Sequence, residues 1–218
     1  MSMINAQHWN QLPELLTQFS ANHDLVYIEA FFKEEWFHEI LAQSRLYRKE
    51  VAPDVRLTNL TSSIKPAELT YIPPSDEILF GGLYESKELK EFIQRIVNRP
   101  KLSTFNCQRY VVYRPGQGLD WHKDVPTYID PEYSAILTLE NETDSSLQFR
   151  DASRQVHTIH TRPNSLLLLK AFRASHKVNP CTYGSRTAII MEYTPTKTKG
   201  PLFYPNIFFY RFLKLFRK

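Results

Sequence analysis

The sequence predicts an α+β fold with a mainly β core: a double-stranded β-helix, or jelly roll, with N-terminal supporting helices. Two patterns predict it. From residue 106 onward, short β-type runs recur at close spacing with turn residues between most of them, as in a double-sheet jelly roll. Before that, apolar residues fall at helical spacing. With 218 residues, 42% hydrophobic and 13% aromatic, the chain can bury one sizeable core. One structural domain is therefore expected: 1–105 as helices and a loop-rich insert packing on the barrel, 106–195 as the jelly roll, and 196–218 as a basic aromatic tail.

In the first part, the segment from Phe31 to Leu41 places Trp36, Phe37, Ile40 and Leu41 on one helical face. Leu89, Phe92, Ile93, Ile96 and Val97 do the same after Ser86, a natural N-cap, and Pro100 closes that helix. Between them, Val51 to Gly82 mixes β-branched residues with Pro53, Pro66, Pro73, Pro74 and the Gly81-Gly82 pair. Short strands and loops shaping one rim of a site are expected there.

The β-runs expected in the second part are Gln108–Tyr113, Leu119–His122, Ser134–Glu140, Leu147–Arg150, Val156–Thr161, Ser165–Lys170, Ser175–Val178 and Arg186–Tyr193. Pro115-Gly116, Asn141, Asp151, Pro163-Asn164 and Tyr183-Gly184 supply turns between them. No internal repeat or low-complexity segment interrupts the pattern.

Charge and cysteines narrow the class. The net charge is +4, but six basic residues and no acid follow Thr194, leaving the rest of the chain at −2. That body lacks the broad basic stripe that phosphate-backbone binding needs, so a nucleic-acid partner is not expected. Cys107 and Cys181 share no close spacing, which suggests neither a disulfide framework nor a zinc ribbon. No leader pattern and no apolar run of spanning length is present. A cytoplasmic location is the expectation.

The chemistry concentrates at His122-Lys123-Asp124, His176 and Arg186. In extended chain, residues i and i+2 point to the same side roughly 6.5 Å apart, so His122 and Asp124 can converge on one ion while Lys123 faces away. His176 lies 52 residues after Asp124 and must arrive from another strand. Two imidazoles and one carboxylate can hold Fe(II) on one face and leave positions for a co-substrate and O2. Arg186 then offers the planar fork that a second carboxylate of that co-substrate would need.

From Tyr113 through Pro115-Gly116 to His122-Lys123-Asp124, the chain resembles the 2-oxoglutarate- and Fe(II)-dependent oxygenases, within them the prolyl-4-hydroxylase-like group. Leu147-Gln148-Phe149 is similar to that group's later Gly-x-Leu-x-Phe strand without its glycine, and His176-Lys177-Val178 to its distal His-x-Val. The resemblance runs from about Gln108 to Tyr193. It implies His122, Asp124 and His176 as metal ligands and catalytic residues, Arg186 as the 2-oxoglutarate anchor, and Tyr113 as a further hydrogen-bond donor to that co-substrate. Thr138, inside the next apolar strand, is a weaker candidate for the same task. The implied reaction hydroxylates a C–H bond of a peptidyl residue, amino acid or small metabolite, consuming 2-oxoglutarate and O2 and releasing succinate and CO2.

Arg173 is a candidate substrate contact, as are Arg109, Trp121 and Tyr128 near the expected mouth, although packing and surface charge explain each singly. The segment from Val125 to Glu132 is a candidate cover for the site. His8, His23 and His38 read as ordinary helical-half histidines. His157 and His160 imitate a metal pair, but a strand sends i and i+3 to opposite sides.

Two other functions fit parts of the pattern. AlkB-like demethylases of nucleic acid share the ligand plan, yet their further arginine would fall at Glu192. A non-enzymatic cupin-like binding module would need no Arg186. The tail from Asn206 to Lys218 sets Arg211, Lys214 and Lys218 against Phe208, Phe209, Phe212 and Phe216. As a helix it would serve either a peripheral membrane contact or docking on the barrel or a second copy. The oligomeric state is left open.

Overall fold

Alternating side chains in the second half of the chain give each strand two usable faces, and two sheets result. A computed structural model describes residues 2–47, 62–72, 82–104 and 108–204. The helices are α1 (Ala6–Asn10), α2 (Leu12–Ala21), α3 (Glu34–Tyr47) and α4 (Lys87–Ile96). The strands are β1 (Leu25–Ile28), β2 (Lys65–Pro66), β3 (Glu68–Ile72), β4 (Ser103–Thr104), β5 (Gln108–Tyr113), β6 (Gln117–His122), β7 (Tyr133–Asn141), β8 (Leu147–Arg150), β9 (Val156–Ile159), β10 (Ser165–Lys170), β11 (Ser175–Val178) and β12 (Arg186–Thr194).

The larger sheet runs β1-β10-β7-β12-β5-β3, with β4 also on β12, and the smaller runs β2-β6-β11-β8-β9. Among these pairs only β2 with β6 is parallel. On β7, Tyr133, Ala135, Leu137 and Leu139 pack outward against Phe19, Phe31, Phe92 and Ile93 of the helical layer, in one buried cluster. Ser134 and Ile136, the alternate residues, face the space between the sheets. Two smaller apolar clusters close that space: Leu147, Phe149, Leu167 and Leu169 on one side, Leu69, Val111, Tyr113, Leu119 and Val178 on the other. This is the expected double-stranded β-helix with supporting helices.

Every β-run expected after residue 107 is a strand, with ends shifted by up to two residues. Ser86 caps α4, its hydroxyl accepting the Leu89 N–H at 3.2 Å. The N-terminal part differs more. Phe31 and Phe32 precede α3 rather than joining it: Phe32 bridges Ile4, and its N–H donates to the Asn164 side chain at 2.9 Å. Leu25–Ile28, unmarked in the sequence reading, is the edge strand paired with β10. Its four residues are too few to show a period. Of the insert, residues 62–72, which carry β2 and β3, and Gly82 are described; the rest of it, Cys107 and the tail from 205 onward lie outside the described residues.

A candidate iron and co-substrate site

One irregularity in β6 sets the site. His122 lies opposite His176 and Leu119 opposite Val178, so three residues of β6 span two of β11. This bulge, common beside active sites, turns both Leu119 and His122 inward. Gly118 permits it, since a Cβ there would stand 2.6 Å from the Val178 carbonyl oxygen. Trp121 packs instead against Arg150 and Lys177, whose cations lie 4.2 and 5.5 Å from its ring.

His122 and His176 are 9% and 4% exposed, with ring centroids 4.2 Å apart. Each Nδ1 donates to a backbone carbonyl: His122 to Asp120 at 2.8 Å and His176 to Ala174 at 3.0 Å. Those bonds fix the neutral tautomer in which Nε2 carries a lone pair, as metal-ligating histidines require. The His122 Nε2 is buried with no hydrogen-bond partner, 3.6 Å from Asp124 Oδ1. One donor atom from each of His122, Asp124 and His176 lies within 4.8 Å of the others, and this trio is the group with metal-ligand geometry among the described residues. The donor set fits Fe(II). Lys123 is exposed, its amine 5.6 Å from the Phe172 ring.

Asp124, His176, Arg186 and Tyr113 line one cavity between the sheets. Arg186 opens β12 directly opposite Tyr113, and its guanidinium lies 5.5 Å from that ring. It is 2% exposed, and its Nε and Nη1 have no hydrogen-bond partner. Burial pushes this guanidinium below its ordinary value, while Tyr113, Tyr27 and Cys181 push it back. Among the described residues no carboxylate pairs with it. An unpaired buried guanidinium is costly, and an anion entering the cavity would remove that cost.

Thr138 is buried on β7 opposite Ala188 and Ser165, and alternation puts it on the inner face with Ser134 and Ile136. It does not, however, line the cavity. Arg173 sits at the surface, where its Nε donates to Asp24 at 3.2 Å, and it too is outside the lining. His157 stacks on Phe149 and bonds Asp151 at 2.7 Å, and that contact holds the Asp151 carboxyl down at about 2. His160 is exposed, and His8 is buried against Phe31 with Nε2 on the Ala30 carbonyl.

Sequence reasoning missed two features. Ser134 places its hydroxyl 3.5 Å from Asp124 Oδ2. An isolated serine in an apolar strand carries no signal of that contact. The second is an ion pair between Arg109 and Glu192, with Arg109 lining the cavity. The Val125–Glu132 segment is tied down in two ways. Its Glu132 carboxylate accepts from Thr127 and Tyr128, and backbone bonds join Ile129 to Thr198 and Gly200 to Thr127.

No family model matches the chain, and no curated protein does. Solved structures do. A prolyl hydroxylase from Trichoplax adhaerens, in complex with a hypoxia inducible factor peptide fragment, superposes with a TM-score of 0.69 at 20% identity, over 87% of this chain and 91% of its own. The chain has the fold of the 2-oxoglutarate/Fe(II) oxygenases. A Pseudomonas putida prolyl-4-hydroxylase gives 0.67 at 14% identity, over 85% of this chain and 100% of its own. HygX from Streptomyces hygroscopicus, with nickel, 2-oxoglutarate and hygromycin B bound, gives 0.64 at 16% identity, over 85% and 88%. No described helix is long and apolar enough to cross a membrane.

Proposed function

We propose that the protein is an Fe(II)- and 2-oxoglutarate-dependent dioxygenase that hydroxylates a C–H bond of a peptidyl residue, amino acid or small metabolite, releasing succinate and CO2. The observation that carries this reading is Arg186, buried without a counter-ion in the cavity that His176 and Asp124 also line. A cupin-like binding module has no use for such a cation. The shared fold agrees with the reading, and the solved relatives include enzymes bound to a peptide and to hygromycin B.

In this reading His122, Asp124 and His176 hold the iron, which supplies the oxidising chemistry when bound with 2-oxoglutarate and O2. The Asp120 and Ala174 carbonyls hold the proton at Nδ1 of each imidazole and so aim Nε2 at the ion, and the Ser134 hydroxyl steadies Asp124. Arg186 takes the distal carboxylate of 2-oxoglutarate with its fork. Tyr113, directly across the ladder, fixes the plane of that guanidinium with its ring and has its hydroxyl as a further donor. Thr138 is held to a minor part in shaping the 2-oxoglutarate end. Leu69, Val111, Leu119 and Val178 keep water from the reacting centre.

Glu192 stands where the demethylase pattern carries its further arginine, and it is paired with Arg109. That inversion of charge favours a peptide or small-molecule substrate over nucleic acid. Arg173, bound to Asp24 outside the cavity, contributes to the surface rather than to substrate in this reading. The test is anaerobic reconstitution with Fe(II), then aerobic succinate measurement with and without 2-oxoglutarate. Iron-dependent succinate is expected, and its absence at full iron occupancy would favour the binding module.

A further inference from the structure

We propose that Arg109, braced by Glu192, anchors the substrate, taking an uncharged oxygen acceptor, an amide carbonyl or a hydroxyl, on the molecule to be oxidised. The proposal rests on the oxygenase reading above and narrows its substrate class. Along β5, Tyr113, Val111 and Arg109 are alternate residues that all line the cavity, so one inner row runs from the partner of Arg186 to Arg109. On β12, Arg186 and Glu192 are six residues apart, roughly 20 Å along an extended strand. Glu192 lies opposite Ser134, whose hydroxyl reaches Asp124. The Arg109–Glu192 pair is thus at the Asp124 end of the cavity, away from the clamp for the distal carboxylate. A 2-oxo acid stretched between Arg186 and the ligands leaves that end to the accepting molecule.

Arg109 has a donor to spare. Glu192 accepts from its Nη2, while its Nε is buried with no hydrogen-bond partner. A buried N–H without an acceptor is costly, and the cavity is where an acceptor can arrive. Charge then selects the kind. Glu192 already neutralises Arg109, and Glu132, buried nearby, feels the Glu192 carboxylate. A substrate anion at Arg109 would compete with Glu192 for that cation and would feel the Glu132 carboxylate behind it, so an uncharged oxygen is the acceptor that fits.

The experiment uses the full chain with Fe(II) and 2-oxoglutarate without oxygen, following the visible charge-transfer band of the chelate. Wild type, Arg109→Lys and Arg109→Met are titrated with N-acetyl amino-acid methylamides, neutral sugars, free amino acids and dicarboxylic acids. Coupled succinate formation in air supplies KM and kcat. A neutral probe from one of the first two sets should perturb the wild-type band. Lysine keeps a cation for Glu192 but lacks Nε, so Arg109→Lys should weaken that probe about tenfold, through KM more than kcat. Arg109→Met should weaken it at least as much, and the chelate band reports that each variant is folded and loaded. Binding by charged probes alone, by no neutral probe, or within twofold of wild type in both variants would overturn the proposal. A wild type that never forms the chelate band would instead defeat the oxygenase reading itself.

Discussion

His176 stands directly opposite His122 in the antiparallel ladder between β11 and β6, so two residues far apart in sequence share one rung. Asp124, two residues past the end of that rung, brings its carboxylate to 3.6 Å from His122 Nε2. Backbone pairing therefore sets the spacing of the donors, and side-chain rotamers only complete it.

Removing one donor should separate metal binding from folding. Asp124→Ala and His176→Ala are expected to fold, because neither residue belongs to the main apolar clusters. Each should lower Fe(II) affinity and 2-oxoglutarate turnover by at least about 100-fold, more than the loss of an outer-shell partner does. Calorimetric titration of metal beside a succinate assay checks both. Wild-type turnover in Asp124→Ala would defeat the assignment.

Arg186→Met should have opposite effects on stability and binding. Without 2-oxoglutarate the variant is expected to melt at a higher temperature, since it no longer buries an unpaired cation. The upshift that 2-oxoglutarate gives wild type should vanish, with affinity falling by about 2–5 kcal/mol, roughly 30-fold or more. Thermal melts of metal-loaded protein with increasing 2-oxoglutarate measure both. A lower melting point in the free protein would mean that the guanidinium has a partner.

The gathering of His122 and Asp124 was legible because a strand repeats every two residues, which makes His122-Lys123-Asp124 a geometric statement before any fold is known. Arg186 was singled out through the family resemblance, by its spacing from His176, and it lines the same cavity as His176 and Asp124. What escaped depends on contacts between strands. The bulge at Asp120-Trp121, the diagonal ion pair between Arg109 and Glu192, and Ser134 beneath Asp124 all arise from register, which no single strand encodes. The helical half was less legible still: Leu25–Ile28 becomes a strand only because β10 offers it an edge.

Gly118→Ala tests that register. Its Cβ would meet the Val178 carbonyl oxygen at 2.6 Å and the Pro180 nitrogen at 3.0 Å, both of them backbone atoms that cannot swing aside. Strand β6 must then move off β11 at the bulge, costing about 1–3 kcal/mol. Because the same pair of strands carries His122 and His176, Fe(II) affinity should fall with stability. Measuring both in one variant decides, and unchanged metal affinity in a destabilised protein would show that the rung does not depend on the bulge.

Glu132 gives a pH dependence whose sign can be worked out. Burial raises its carboxyl above the ordinary value of 4.5, against the pull of the Thr127 and Tyr128 donors, and Glu192 raises it further. A carboxyl raised in the folded state favours folding while protonated. That contribution is fully present below the unfolded value and is lost as pH rises through the folded one. Glu132→Gln keeps an oxygen for the Thr127 hydroxyl and the Tyr128 N–H, 2.9 and 2.6 Å from Oε1, and carries no charge at any pH. The variant should match wild type in melting temperature well below pH 4.5 and exceed it increasingly at higher pH. Melts across that range check this, and a variant that loses stability relative to wild type as pH rises would show that the charged carboxylate is what holds the segment beside Asp124.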